Sequence, residues 1–91
     1  MLEYDWNKDK NKWLREHRYV GFEDIVKAIQ SGDVLALVDH PNLARYPNQR
    51  VIVVAINGYA YEVPFVVSNG KIFFKTIIPS RRATKKYMSK G

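Results

Sequence analysis

The cationic side chains near the C-terminus are the first candidates for chemistry in this sequence. A β-rich run leads through Pro79 and Ser80 into residues 81–87, which read Arg-Arg-Ala-Thr-Lys-Lys-Tyr, and no acidic residue follows Glu62. Guanidinium and ammonium groups bind phosphate oxygens without a metal, and an arginine fork fits those oxygens geometrically. The start of a helix also attracts anions. This segment therefore predicts a site for phosphates or for an acidic partner.

Cleavage of RNA is one reaction that such a site can catalyse. The 2′-OH of the ribose attacks the adjacent phosphorus, so the protein has to align that attack and stabilise charge on the phosphorane oxygens. We expect Arg81 and Arg82 to stabilise the phosphate, although either could instead pair with an acid of the N-terminal region. The residues expected to bind the flanking RNA are Lys75, Lys85, Lys86 and Tyr87.

Two further catalytic candidates, Lys10 and His17, are seven residues apart in a predicted helix and fall on one of its faces. A lysine there would polarise a phosphate, and an imidazole titrates near neutral pH and so can move protons. The alternative for His17 is a packing role on a half-buried helix face. Rather than stacking on bases, Trp6 and Trp13 are expected to be core or staple residues, and Tyr59 and Tyr61 are expected to pack in the core.

Several classes of function have no support in the sequence. Without cysteine, the chain forms no disulfide and has no thiol nucleophile, which fits a reducing cytoplasm. Its two histidines, His17 and His40, form no recognisable metal-binding spacing, and no Gly-rich nucleotide-binding loop is present. We therefore expect no metal and no cofactor. With no apolar run long enough for a membrane span and no signal-peptide pattern, we expect a cytoplasmic location and no membrane partner.

The charge of the chain is distributed unevenly. Its 91 residues are 46% hydrophobic and 26% charged, which predicts a single globular domain over residues 1–91. Residues 1–39 hold six basic and eight acidic side chains, a balance of −2, whereas residues 40–91 hold nine basic side chains against Glu62 alone, a balance of +8. Such asymmetry predicts one basic face formed by the C-terminal half.

The hydrophobic pattern predicts two helices followed by strands. A helix is expected over 7–18 with Asn7 as its N-cap, and another over about 22–30. Strands are expected over 34–38, 51–56, 59–67 and 71–78, followed by a short helix capped by Ser80. The interpretation is an α+β domain, with two N-terminal helices packed on a four-stranded antiparallel sheet and a short C-terminal helix.

Turn residues support this order of strands. Asn57-Gly58 and Asn69-Gly70 are typical of type I′ hairpin turns, which would join the last three strands into an antiparallel meander. Pro64 has no N–H for a strand ladder, so it predicts an edge strand or a bulge within 59–67.

The chain resembles the BrnT toxins over nearly its whole length, and the most specific matches lie in two stretches. The C-terminal run 77–84 looks like that family's Ile-Ser-Ala-Arg-Arg-Ala-Thr ending. The N-terminal match consists of Tyr4-Asp5-Trp6-Asn7, Lys10, Leu14-Arg15, His17, Val20 and Phe22-Glu23-Asp24. The departures from the family pattern are Asn7 for Asp, Glu16 for Lys, Arg18 for Gly, the additional Tyr19, and Pro79 for Ala.

The resemblance implies a toxin of a type II toxin–antitoxin pair with a RelE-like fold. Such a protein is a small endoribonuclease, neutralised by a cognate antitoxin that is itself small and DNA-binding. We expect an acidic antitoxin segment on the apolar Tyr/Val/Phe face of the sheet and on residues 80–87; the alternative is that the two helices cover that face and the partner binds elsewhere. The alternatives are a non-catalytic basic module of the same fold that binds an acidic protein or nucleic acid, and a small-molecule enzyme that uses His17 or His40.

Overall fold

One mixed sheet lies between two layers of helix. The computed structural model describes residues 3–89. In chain order its elements are β1 (Glu3–Trp6), α1 (Lys8–Arg18), α2 (Phe22–Gln30), β2 (Val34–Asp39), β3 (Arg50–Ile56), β4 (Tyr59–Ser68), β5 (Lys71–Phe74), β6 (Ile78–Pro79) and α3 (Arg81–Met88). The strands lie in the order β1-β5-β4-β3-β2, and β6 also pairs with β4. The predicted α+β class is confirmed.

The sheet is not the predicted four-stranded antiparallel one, because β1 adds a parallel edge strand. β1 pairs with β5 from Glu3 opposite Lys71 to Trp6 opposite Phe74. Its sequence alternates outward acids with Tyr4 and Trp6, which pack against the core. This period of two is the pattern of a strand with one buried face.

The predicted last strand, 71–78, is divided into β5 and β6 by a bulge. Both pieces pair antiparallel with β4, but their registers differ by one residue. Pro64 of β4 lies at this irregularity, where its carbonyl accepts a hydrogen bond of 2.8 Å from the N–H of Lys75. The missing N–H of a proline is tolerated at such a point, so the predicted bulge is confirmed.

The turns and helix N-caps predicted from the sequence are present in the structure. Both Asn-Gly pairs adopt the left-handed conformation that a type I′ turn requires, with φ of 52° and 78° at Asn57 and Gly58 and nearly the same values at the second pair. Asn7 caps α1 by accepting a hydrogen bond from the N–H of Lys10. Ser80 caps α3 in the same way.

Different helices pack on the two faces of the sheet. On the first face, α1 and α2 contribute Leu14, Phe22 and Ile25 to a core with Val54, Val63, Phe65 and Phe74. On the second face, Ala83 of α3 packs against Val51, Val53 and Ala60. Because neighbouring residues of a strand point to opposite faces, α3 lies across the sheet from α1 and α2.

A buried asparagine joins α1 to α2. The amide nitrogen of Asn11 donates to both carboxylate oxygens of Glu23 at 3.0 Å, and its amide oxygen accepts from the N–H of Phe22 at 2.8 Å. Arg15 adds an ion pair of 2.6 Å to the same carboxylate. The hydrogen bonds from Asn11 and from Arg15 lower the pKa of Glu23, so this junction is stabilised by the ionised carboxylate.

We predict that Glu23→Gln lowers the free energy of unfolding by about 1 kcal/mol at pH 7, a modest value because the side chain is half exposed. A lowered carboxyl pKa stabilises the fold fully above the ordinary value of 4.5, and the stabilisation is lost as pH falls through the lowered value. The deficit measured by urea unfolding should therefore shrink as the pH falls below 4.5.

The matched control is Glu16→Gln on the exposed side of α1, since Glu16 belongs to none of the ion pairs within residues 3–89. This variant should unfold like the wild type at every pH. A Glu23→Gln deficit of the same size in acid and at neutrality would contradict the account.

Candidate functional site: the groove beside helix α3

Hydrogen bonds fix the start of α3 to β4. The N–H of Ser80 donates to the carbonyl of Ala60 at 3.0 Å, and the N–H of Ala60 donates to the hydroxyl oxygen of Thr84 at 2.9 Å. The Thr84 hydroxyl in turn donates to the carbonyl of Ser80 at 2.7 Å. Ala60 and Ala83 are almost fully buried at this contact, and their small side chains let the helix approach the sheet closely.

One side of α3 and the second face of the sheet enclose a groove of about 280 Å³. We call it the α3 groove. Buried Val51 and Val53 form part of its sheet wall. Its other lining residues are Val38, Asp39, Pro41, Glu62, Arg82, Ala83, Lys86 and Tyr87.

Two cations and one carboxylate meet in the α3 groove without ion pairing. Arg82 and Lys86 are four residues apart in the helix, which places them one turn apart on one side of it. Glu62 comes from β4 and is half-buried. The four ion pairs within residues 3–89 involve Arg15, Arg50 and Lys71 as cations, so all three groove groups are left for a ligand.

The two consecutive arginines predicted to act together are separated by the helix. Successive residues of an α-helix are about 100° apart around its axis. Arg82 lines the α3 groove, whereas Arg81 and Lys85 do not, although all three side chains are exposed. Of the tail residues predicted to bind RNA, Lys86 and Tyr87 are in the groove, and the ring of Tyr87 lies 5.3 Å from Lys86 Nζ.

The structure does not bring Lys10 and His17 into the α3 groove. Both are on α1, which packs on the first face of the sheet, and both contact Trp13. The imidazole of His17 stacks on the indole with ring centroids 4.5 Å apart, while Lys10 Nζ lies 4.9 Å from the indole centroid. The predicted catalytic set of Lys10, His17, Arg81 and Arg82 is therefore not assembled at one place.

A hydrogen bond within α1 orients His17. Its Nδ1 lies 2.9 Å from the carbonyl oxygen of Trp13, which accepts from the tautomer that carries the proton on Nδ1. Trp13 is 41% exposed and is therefore not a core residue, one of the two roles expected of it, whereas Trp6 stacks on Phe22 as expected of a core residue.

The remaining candidates also lie away from the α3 groove. Lys75 follows β5, and its Nζ lies 5.3 Å from the ring centroid of Phe73. His40 accepts a hydrogen bond from the N–H of Asn42 and contacts the ring of Tyr46 at 4.5 Å. Lys90, part of the basic run in the sequence, lies outside the described residues.

Glu62 is the groove residue that the sequence-based site prediction missed. Two signals mark it: it is the one acid of residues 40–91, and it is two positions from Ala60, so both project on the same face of β4. Within residues 3–89, no group of three or more His, Cys, Asp or Glu side chains is placed to hold a metal ion. No helix in this part of the chain is long and apolar enough to cross a membrane.

Comparisons with known proteins identify no relative of this fold. No protein-family profile matches the chain, and no curated protein or solved structure matches it either. The likeness to BrnT toxins therefore stays an expectation from the sequence.

We predict that Thr84→Val lowers the free energy of unfolding by about 1–3 kcal/mol, because the buried N–H of Ala60 loses its acceptor while the side-chain volume is kept. Thr84→Ser, which retains the hydroxyl and loses one methyl group, should cost less than about 1 kcal/mol. Denaturant unfolding measures both. Equal losses in the two variants would show that the hydroxyl does not fix α3 to the sheet.

Proposed function

We propose that this chain is a metal-independent endoribonuclease that binds and cleaves RNA in the α3 groove. The observation that carries the proposal is the pair Arg82 and Lys86, which line one groove from adjacent helical turns and belong to no ion pair within residues 3–89. Two unpaired cations at this spacing match the oxygens of a phosphodiester.

The groove supplies the elements that cleavage by the 2′-OH requires. Arg82 and Lys86 stabilise the charge that develops on the phosphorane oxygens. Tyr87 offers a ring against which a base can stack. No step of this reaction needs a metal.

We further propose that the enzyme is the cytoplasmic toxin of a type II toxin–antitoxin pair with a RelE-like fold. The support is the sequence resemblance at both ends of the chain and the +8 balance of residues 40–91, which favours a small acidic antitoxin. Val63 and Phe65, on the sheet face first expected to receive that partner, are buried under α1 and α2. The second face, with the α3 groove, is therefore the better docking surface.

A second candidate function is a non-catalytic module of the same fold that binds nucleic acid or an acidic protein. The position of Lys10 and His17 outside the α3 groove favours it, because the groove then lacks the predicted proton-transfer histidine. The two functions differ in their products. The enzyme leaves 2′,3′-cyclic phosphate ends in the presence of chelator, whereas the module shows salt-dependent binding with intact RNA.

We predict that Arg82→Ala/Lys86→Ala reduces RNA cleavage at least about 100-fold, since each charged contact with the transition state is worth about 1.5–3 kcal/mol. The matched control is Arg81→Ala/Lys85→Ala, which removes the same two kinds of charge from positions of the same helix that do not line the groove. It should stay within about threefold of the wild type at 0.15 M salt, where distant charges are screened.

The measurement is single-turnover cleavage of end-labelled RNA in EDTA, with growth arrest on expression as a second readout. Equal losses in the two double variants would mean that overall charge matters and the groove does not. Intact RNA with the wild-type chain, together with salt-dependent binding, would replace the enzyme by the binding module.

A further inference from the structure

We propose that Glu62 is the general base of the α3 groove and takes the proton of the attacking 2′-OH. The inference rests on the proposed function, since it assigns a catalytic role within the same groove. It starts from the position of Glu62 on β4, two residues after Ala60. Ala60 is hydrogen-bonded to both Ser80 and Thr84, so the distance along the sheet from the helix start to Glu62 is fixed.

The surroundings of Glu62 are those of a reactive carboxylate rather than of a structural one. Its side chain is half-buried and lines the groove together with Arg82 and Lys86. It takes part in no ion pair and accepts no side-chain hydrogen bond from another residue in 3–89. Glu23, by contrast, is held by an arginine and an asparagine.

Other proton acceptors of the chain are less suited to this role. Asp39 also lines the groove, but its carboxylate lies 3.6 Å from Arg50 Nε and is largely exposed. Neither His17 nor His40 lines the groove. Glu62 is therefore the groove's unpaired carboxylate, placed beside the two cations that would hold the scissile phosphate.

The reaction balances with the groups named. The carboxylate of Glu62 takes the proton from the 2′-OH as the 2′-oxygen forms a bond to phosphorus. The bond from phosphorus to the 5′-oxygen breaks, its electron pair stays on that oxygen, and the oxygen takes a proton from water. The remaining hydroxide then takes the proton from Glu62, which restores the carboxylate. The products are a 2′,3′-cyclic phosphate and a 5′-hydroxyl.

The substitution Glu62→Gln distinguishes a general base from a residue that acts only through its charge. Glu62→Gln keeps the size of the side chain but removes both the charge and the base. If Glu62 only offsets the charge of Arg82 and Lys86, the variant should bind RNA more tightly and cleave it as well as the wild type does. If Glu62 is the base, the variant should bind and fail to cleave.

The experiment uses the full chain and two probes of the same sequence: a labelled RNA for cleavage in EDTA, and its uncleavable 2′-O-methyl analogue for binding. We expect Glu62→Gln to lower the single-turnover rate at least about 100-fold at neutral pH while binding the analogue as tightly as the wild type or more tightly. The wild-type rate should rise with pH on the acidic side of its profile, and this rise should be absent in the variant.

The matched control is Glu16→Gln, the same carboxylate-to-amide change on the exposed side of α1 outside the groove, and it should leave cleavage within about threefold. If thermal unfolding shows that Glu62→Gln does not fold, Glu62→Asp replaces it, with the expectation of a lower rate that still rises with pH. A Glu62→Gln rate near that of the wild type, or a flat profile in Glu62→Asp, would overturn the role of Glu62 alone. A wild-type chain that binds the analogue and leaves RNA intact would overturn the proposed function as well.

Discussion

The hydrogen-bonded contact between β4 and the start of α3 is the constraint on which the proposed site depends. Ala60 uses both of its backbone polar groups to hold Ser80 and Thr84, and this fixes the first turn of the helix on the second face of the sheet. The 3.6-residue period of the helix places Arg82 on the side of α3 that lines the groove. The two-residue period of β4 places Glu62 on the same sheet face as Ala60. The α3 groove forms because the helix and the strand are held together at this one hydrogen-bonded contact.

The two buried polar side chains within residues 3–89, Asn11 and Ser80, each hold one helix layer. Asn11 joins α1 to α2 on the first face, and Ser80 caps the helix on the second. The sheet between them separates the cations beside Trp13 on α1 from those of the α3 groove. The stacked residues around Trp13 therefore form a surface distinct from the α3 groove, and the proposed RNA chemistry concerns the groove alone.

Features set by neighbouring residues were predictable from the sequence, and features set by distant contacts were not. The caps at Asn7 and Ser80 and the two Asn-Gly turns follow from side-chain chemistry within four residues, and the structure confirms them. The parallel pairing of β1 with β5 joins segments about 68 residues apart, which no local pattern specifies. The face chosen by α3 is equally non-local. Because α3 packs on the second face, Arg82 lines the α3 groove, Arg81 does not, and Glu62 lies in the site.

The most direct measurement of the central claim is a titration of the ¹⁵N-labelled chain with a 2′-O-methyl RNA, followed by amide chemical shifts. The account predicts saturable shifts at residues 60–62 and 82–87, with the amides of Lys10 and His17 little changed. Shifts concentrated on α1 around Trp13, with residues 60–62 and 82–87 unaffected, would contradict it and place the RNA on the opposite face of the sheet.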